Sequence, residues 1–167
     1  TSDEQYLEVI RGKTAALFAA ACQVGAVVGE RAADEEAAMA EYGMNLGIAF
    51  QLVDDALDYA ADQQTLGKTV GDDFREGKIT MPVLAAFAAG DDAERAFWRR
   101  TLEAGEQDEA DLRLALQVMG ERGAIRATLD RACAFADSAK AALRRFPPSP
   151  IRDTFEGIAD YTVRRAR

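Results

Sequence analysis

The chain has 167 residues, 49% of them hydrophobic, with only 13 Gly and 4 Pro, which predicts one helical globular domain spanning 1–167 with a sizeable core. A net charge of −9 argues against a nucleic-acid partner, and two Cys with no His argue against zinc and other soft-metal centres. No apolar run reaches the roughly 18 residues of a membrane span, so the sequence predicts no integral membrane segment; the opening Thr1-Ser2-Asp3-Glu4 is not a signal-peptide pattern, and Cys22 and Cys133 in Ala-rich segments read as reduced thiols of a cytoplasmic protein.

Ser2 or Asp3 can cap a first helix running to about Gly29. Lys13 and Thr14 interrupt its apolar residues Val9, Ile10, Leu17 and Phe18. Taken alone, Lys13 reads equally well as a lysine carrying its charge outward along its stem. Small residues at Ala19 to Ala21 and Ala26 to Val28 permit close helix approach. The polar break Arg31 to Glu36 follows, with Asp34 as cap of a central helix reaching about Gln64.

From about Gly43 to Ala61 that central helix is apolar almost all round: Met44, Leu46, Ile48, Phe50, Leu52, Val53 and Leu57 leave no wet face, the mark of a core helix. Asp54, Asp55 and Asp58 nevertheless lie in its middle. At about 100° per residue, Gln51, Asp54, Asp55, Asp58 and Asp62 fall on one stripe. Carboxylates crowded there repel each other and resist dehydration, so a cation should answer them. Oxygen-only ligands suit Mg²⁺, which takes one or two carboxylates and completes its shell with water and phosphate. The alternative is a solvated stripe on a surface helix, against which the apolar surroundings argue.

Two glycines break the pattern in Leu66-Gly67-Lys68-Thr69-Val70-Gly71-Asp72-Asp73, and Lys78 opens the apolar run Ile79 to Phe87. Carboxylates, a metal and lysines together suit a polyanion, most simply a diphosphate. Gly67-Lys68-Thr69 is not a nucleotide-binding P-loop, because position 62 is Asp62 rather than Gly and no strand precedes it.

Further helices are predicted over Thr80 to Ala89, from Asp91 to about Ala104 with an Asp91–Glu94 capping box, and after Asp108 through Leu112, Leu116 and Met119. Phe97 and Trp98 read as core. A longer amphipathic helix carries Ile125, Leu129, Ala132, Phe135 and Leu143 at helical spacing. Ser149-Pro150 then opens the last helix. Its basic end, Arg164 and Arg165, suits a helix C-terminus.

Phe50-Gln51, Asp54-Asp55-x-x-Asp58, Gly67-Lys68 with Asp72, and then Lys78, together resemble the second aspartate-rich region of the trans-isoprenyl diphosphate synthases. The likeness is greatest to the long-chain bacterial polyprenyl (octaprenyl-type) synthases. Tyr6-x-x-x-Ile10-x-x-Lys13-Thr14-Ala15-x-Leu17 is similar to that family's lysine–threonine helix. The specific likeness runs from about Tyr6 to Pro82.

The resemblance implies an all-α helical bundle of the isoprenoid synthase type, assembled as a homodimer. It implies Mg²⁺-dependent head-to-tail condensation of an allylic diphosphate with isopentenyl diphosphate. Asp54, Asp55, Asp58 and Asp72 would be the metal set. Lys13, Lys68 and Lys78 would hold diphosphate oxygens, with Thr14, Phe50 and Gln51 in the substrate site. Lys13, Thr14, Gln51 and Lys68 would serve the reaction itself. The family's first aspartate-rich motif, on an earlier helix, is absent from this sequence. The chain is therefore expected to be the C-terminal part of a synthase, its N-terminal helices missing, and inactive alone. The alternatives are a non-catalytic partner subunit of a heterodimeric synthase and a plain helical interaction domain.

Overall fold

A computed structural model describes residues 1–60 and 70–166, which contain helices and turns and, among the described residues, no strand. The first rod begins with a reciprocal cap. The Ser2 hydroxyl accepts from the Gln5 N–H, and the Gln5 side chain accepts from the Ser2 N–H. Helix α1 (Asp3–Ile10), a π-helical segment (Arg11–Ala15) and α2 (Ala16–Val28) follow without leaving helical dihedrals at the junctions. The long helix α3 is Ala33–Ala60. Asp34 is not its cap but lies in its first turn, where it pairs with Arg145. The expected extension of α3 to Gln64, with Asp62, lies outside the described residues, as does Lys68.

The remaining helices are α4 (Asp72–Arg75), α5 (Met81–Ala89), α6 (Asp92–Trp98) continued by a second π segment (Arg99–Glu103), α7 (Glu109–Glu121), α8 (Ala124–Ala142) with a 3₁₀ turn (Leu143–Arg145), and α9 (Pro150–Arg164). Their starts follow local chemistry. Asp91 with Glu94, and Asp108 with Asp111, form capping boxes, each satisfying two otherwise orphaned backbone donors. Ser149 caps α9, whose first residue is Pro150.

The chain forms two compact units. One comprises Thr1–Tyr6 and Asp54–Leu129. Its core gathers Tyr59, Phe74, Val83, Phe97, Trp98, Val118 and Met119. The rings of Phe97 and Trp98 meet edge-on at 5.0 Å, and Phe74 lies 6.4 Å from Phe97. Gln107 braces this core by donating to the carbonyls of Phe74 and Thr101. Asp111 does the same from the edge, holding Arg100 through both carboxylate oxygens at 3.0 and 2.6 Å.

The other unit comprises Leu7–Val53 and the chain from Asp130 onward. Tyr42, Leu46, Ala49, Ala136, Ala139, Leu143 and Ala159 are its core, and the preponderance of alanine lets helix axes come close. Tyr42 packs edge-on against Phe155 at 5.3 Å and donates its hydroxyl to the Phe155 carbonyl at 2.8 Å. Helix α3 also comes close to the first rod at two glycines. A Cβ on Gly47 would lie 2.6 Å from the Ala15 Cα, and one on Gly43 would lie 2.7 Å from the Ala19 Cα. Backbone stands against backbone there, so neither contact yields by turning a side chain.

Gly47→Ala is accordingly expected to cost roughly 1–3 kcal/mol, the usual toll of an overpacked methylene. Gly157, in α9, has nothing within 4 Å of its Cβ position; Gly157→Ala is expected to be neutral or stabilising by up to about 1 kcal/mol. Thermal melts followed by circular dichroism read both: Gly47→Ala should lower Tm by about 2–4 °C per kcal/mol, and Gly157→Ala should not.

Candidate active site

The last two turns of α3 carry the acidic residues, and the structure divides them by depth. Asp54 is exposed and Asp58 is half-buried, whereas Asp55 is only 3% exposed. The Asp55 carboxylate accepts a hydrogen bond from the hydroxyl of Tyr6, itself buried on α1. The stripe read from periodicity is therefore split at its edge, with Asp55 turned inward and Asp54 and Asp58 remaining toward water.

Asp58 is the point at which the chain returns to α3. The Gly71 N–H donates to the Asp58 carbonyl at 2.8 Å, and the Asp73 N–H donates to the Asp58 carboxylate at 3.1 Å. Gly71 makes this return in the left-handed region, φ +79°, with Leu112 where its Cβ would be. The turn thus delivers Asp72 and Asp73 beside Asp58. Burial pushes the Asp58 carboxyl up from its ordinary pKa, and the charges of Asp73 and Asp72 push the same way. Asp72 also pairs with Arg75 at 2.9 Å.

Lys78 lies on the same turn. Its ammonium pairs with Glu76 at 2.6 Å and with Asp73 at 3.0 Å. The Glu76 bond first, then Asp73, hold its pKa above the ordinary lysine value. Half its side chain remains exposed.

A second group belongs to the other unit. Thr14, in the π segment, donates its hydroxyl to the Gln51 side-chain oxygen at 2.9 Å. Lys13 beside it is exposed. Phe50 is half-buried, its ring 5.5 Å from that of Phe18 and 4.3 Å from the Arg165 guanidinium, which also donates to the Phe50 carbonyl at 3.1 Å. The sequence signalled Arg165 only as part of a basic tail, and Tyr6 only as a motif position without a role. An apolar groove of about 690 Å³ in this unit, lined by residues such as Cys22, Met39, Phe146 and Phe155, includes none of the expected site residues.

Among the described residues, no three acidic side chains converge as a ready-made metal cage. Mg²⁺ does not require one, since it binds through one or two carboxylates and keeps several waters. Asp54 and Asp58 stand one turn apart on α3, and Asp58 sits among negative charge, so these residues fit a hard divalent cation.

The family model for polyprenyl synthetase matches residues 1–119. The chain belongs to the polyprenyl synthetase family. It is 41% identical over 166 residues to the octaprenyl diphosphate synthase of Escherichia coli, a match that takes in 99% of this chain and 51% of that protein. Among solved structures, a decaprenyl diphosphate synthase from Rhodobacter capsulatus superposes with a TM-score of 0.91 at 48% identity, over 100% of this chain and 51% of the other. A Caulobacter crescentus polyprenyl synthase complexed with calcium and isoprenyl diphosphate gives 0.91 at 49% identity, over 99% and 50%. The chain thus spans about half the length of the curated relatives it matches. The all-α architecture expected from the sequence is the fold of these synthases.

The raised Asp58 pKa has a consequence for this polyprenyl synthetase chain when no metal is present. A carboxyl whose folded pKa exceeds its unfolded value favours folding while protonated and loses that contribution as pH rises through the folded pKa. Asp58→Asn removes the penalty and keeps an oxygen to accept the Asp73 N–H. Melts in chelator should therefore show Asp58→Asn at least as stable as wild type at pH 7, with its advantage shrinking as pH falls through the carboxylate range.

Proposed function

We propose that this chain is one domain of a polyprenyl diphosphate synthase, acting in the Mg²⁺-dependent head-to-tail condensation of an allylic diphosphate with isopentenyl diphosphate. Membership of the family supports the reaction class. The observation that carries the site assignment is the placement of exposed Asp54 one turn before Asp58, with Asp72, Asp73 and Lys78 delivered beside Asp58 by the Gly71 turn.

In this reading the allylic C–O bond breaks heterolytically and its electron pair leaves on the diphosphate oxygen. The isopentenyl double bond supplies the electrons of the new C–C bond, and the proton then lost is taken by the departed pyrophosphate. The barrier is set by how well the leaving charge is stabilised. Mg²⁺, held by Asp54 and Asp58 with Asp72 close by, would supply most of that neutralisation. By the family resemblance, Lys13, Lys68 and Lys78 would bind phosphate oxygens. Thr14 orients Gln51 through the hydrogen bond between them, giving a fixed amide dipole three positions before Asp54 on the same helix.

We also propose a homodimer. Leu17, Val24 and Val28 share one face of α2 and are 76%, 57% and 78% exposed, an apolar row that a second copy would cover.

Calorimetry of the 167-residue chain with pyrophosphate is expected to show binding with Mg²⁺ and none in chelator, and Asp54→Ala should abolish the metal-dependent part. Equal heats with and without Mg²⁺ would overturn the metal site.

Turnover needs more than one carboxylate wall. Loss of a single preorganised stabilising group costs on the order of 10²–10³ in rate. With geranyl or farnesyl diphosphate, isopentenyl diphosphate and Mg²⁺, a radiolabel assay should detect no product from this chain alone. Product should appear when the half of a full-length relative that this chain does not match is supplied. Turnover by the pure chain would show that this half suffices.

A further inference from the structure

Asp54-Asp55-x-x-Asp58 invites a single role for its three carboxylates, yet Asp55 is in a different situation from the other two. Its side chain is 3% exposed and bonded to the hydroxyl of Tyr6, which is 6% exposed. A carboxylate buried in this way has no room for the water shell that a hard cation retains.

The geometry of the helix shows what the bond accomplishes. Positions on α3 are separated by about 100°, so Asp54 lies about 100°, and Asp58 about 60°, to the same side of Asp55. Fixing Asp55 toward Tyr6 therefore aims both of the others to one side, about 40° apart. Leu52, Val53 and Ala56 beside Asp55 are fully buried and apolar; packing of this kind holds the helix but offers a carboxylate no directional partner, and Asp58 is held separately by the Gly71 and Asp73 N–H groups. A hydrogen bond to a charged acceptor is both directional and strong.

We infer that Tyr6 and Asp55 are a positioning pair, with Tyr6 holding Asp55 inward so that Asp54 and Asp58 present their carboxylates together to the metal–diphosphate. Asp55 is then not a metal ligand. This inference rests on the pyrophosphate–Mg²⁺ reading of the site, and it gives the phenol at position 6 a part in that site although it touches neither metal nor substrate.

The two roles for Asp55 predict opposite orders of variants. In calorimetric titration of pyrophosphate in Mg²⁺, with circular dichroism to verify folding, Asp55→Asn should bind close to wild type, because the amide oxygen still accepts the Tyr6 hydroxyl. Tyr6→Phe keeps the ring and loses the donor; its affinity should fall on the order of tenfold or more. Asp54→Ala should lose metal-dependent binding altogether. Should Tyr6→Phe not fold, Asp55→Asn against Asp55→Ala decides: retention in the first with loss in the second supports the pair.

The inference is overturned if Asp55→Asn falls as far as Asp54→Ala. It is equally overturned if folded Tyr6→Phe melts earlier but binds as wild type, since the bond would then be structural only. Wild-type chain that shows no Mg²⁺-dependent binding would remove the underlying reading and this inference with it, a result distinct from either of the others.

Discussion

Helix α3 has to satisfy two demands within the same two turns. Ala49, Leu52, Val53 and Ala56 have no exposure at all, so that length of helix is core; Asp54 and Asp58 must nevertheless reach water. Both can be met only if the helix is held at one rotation, because a turn of a few tens of degrees would bury a carboxylate or expose a leucine. The packing around α3 serves that end. Gly43 and Gly47 seat the helix directly on the backbone of the first rod. Alanines at 136, 139 and 159 join Tyr42, Leu46 and Ala49 of this helix in one core without bulk. Interiors packed to this density do not deform gradually, so the rotation of the length of α3 up to Val53 is set by its core.

The end of α3 carries the cost of this arrangement. The Asp58 carboxylate is partly withdrawn from water, and the turn beginning at Gly71 brings it two more acidic residues instead of a cation. Lys78, the basic residue of that turn, is shared between Asp73 and Glu76. Local electrostatics here work against the metal-free fold. Natural proteins break rules of charge satisfaction chiefly at functional sites, with compensation elsewhere; the aromatic cluster of Phe74, Phe97 and Trp98 beneath this turn is a suitable compensation.

How much of this could be read from residues alone depended on the range of the interaction. Caps at Ser2, Asp91, Asp108 and Ser149 are formed within three residues of sequence, and all were legible. Asp34 was misplaced by a turn's edge, because a carboxylate near a helix start serves about as well in the first turn as at the cap. The acidic stripe was legible for Asp54 and Asp58. Asp55 stands at the margin of a 100° sector, and its partner Tyr6, 49 positions away, is not encoded in that periodicity. Arg165 over Phe50 is longer-ranged still, 115 positions apart, and no periodicity encodes it. Lys68, conspicuous in the sequence, falls outside the described residues.

The π segment at Arg11–Ala15 was invisible to periodicity, and it alters the arithmetic of the whole first rod. Its closing bond runs from the Ala16 N–H to the Arg11 carbonyl, five residues apart, so one more residue is spent there than an α-helical turn uses. A helical wheel drawn straight from Asp3 to Val28 is consequently out of phase by about 100° across the segment. Ile10 before the segment and Ala19 after it are therefore in different helical phase. The extra residue lets the faces presented before and after the segment be chosen independently. In evolutionary terms, it acts as a single-residue insertion absorbed without breaking the helix.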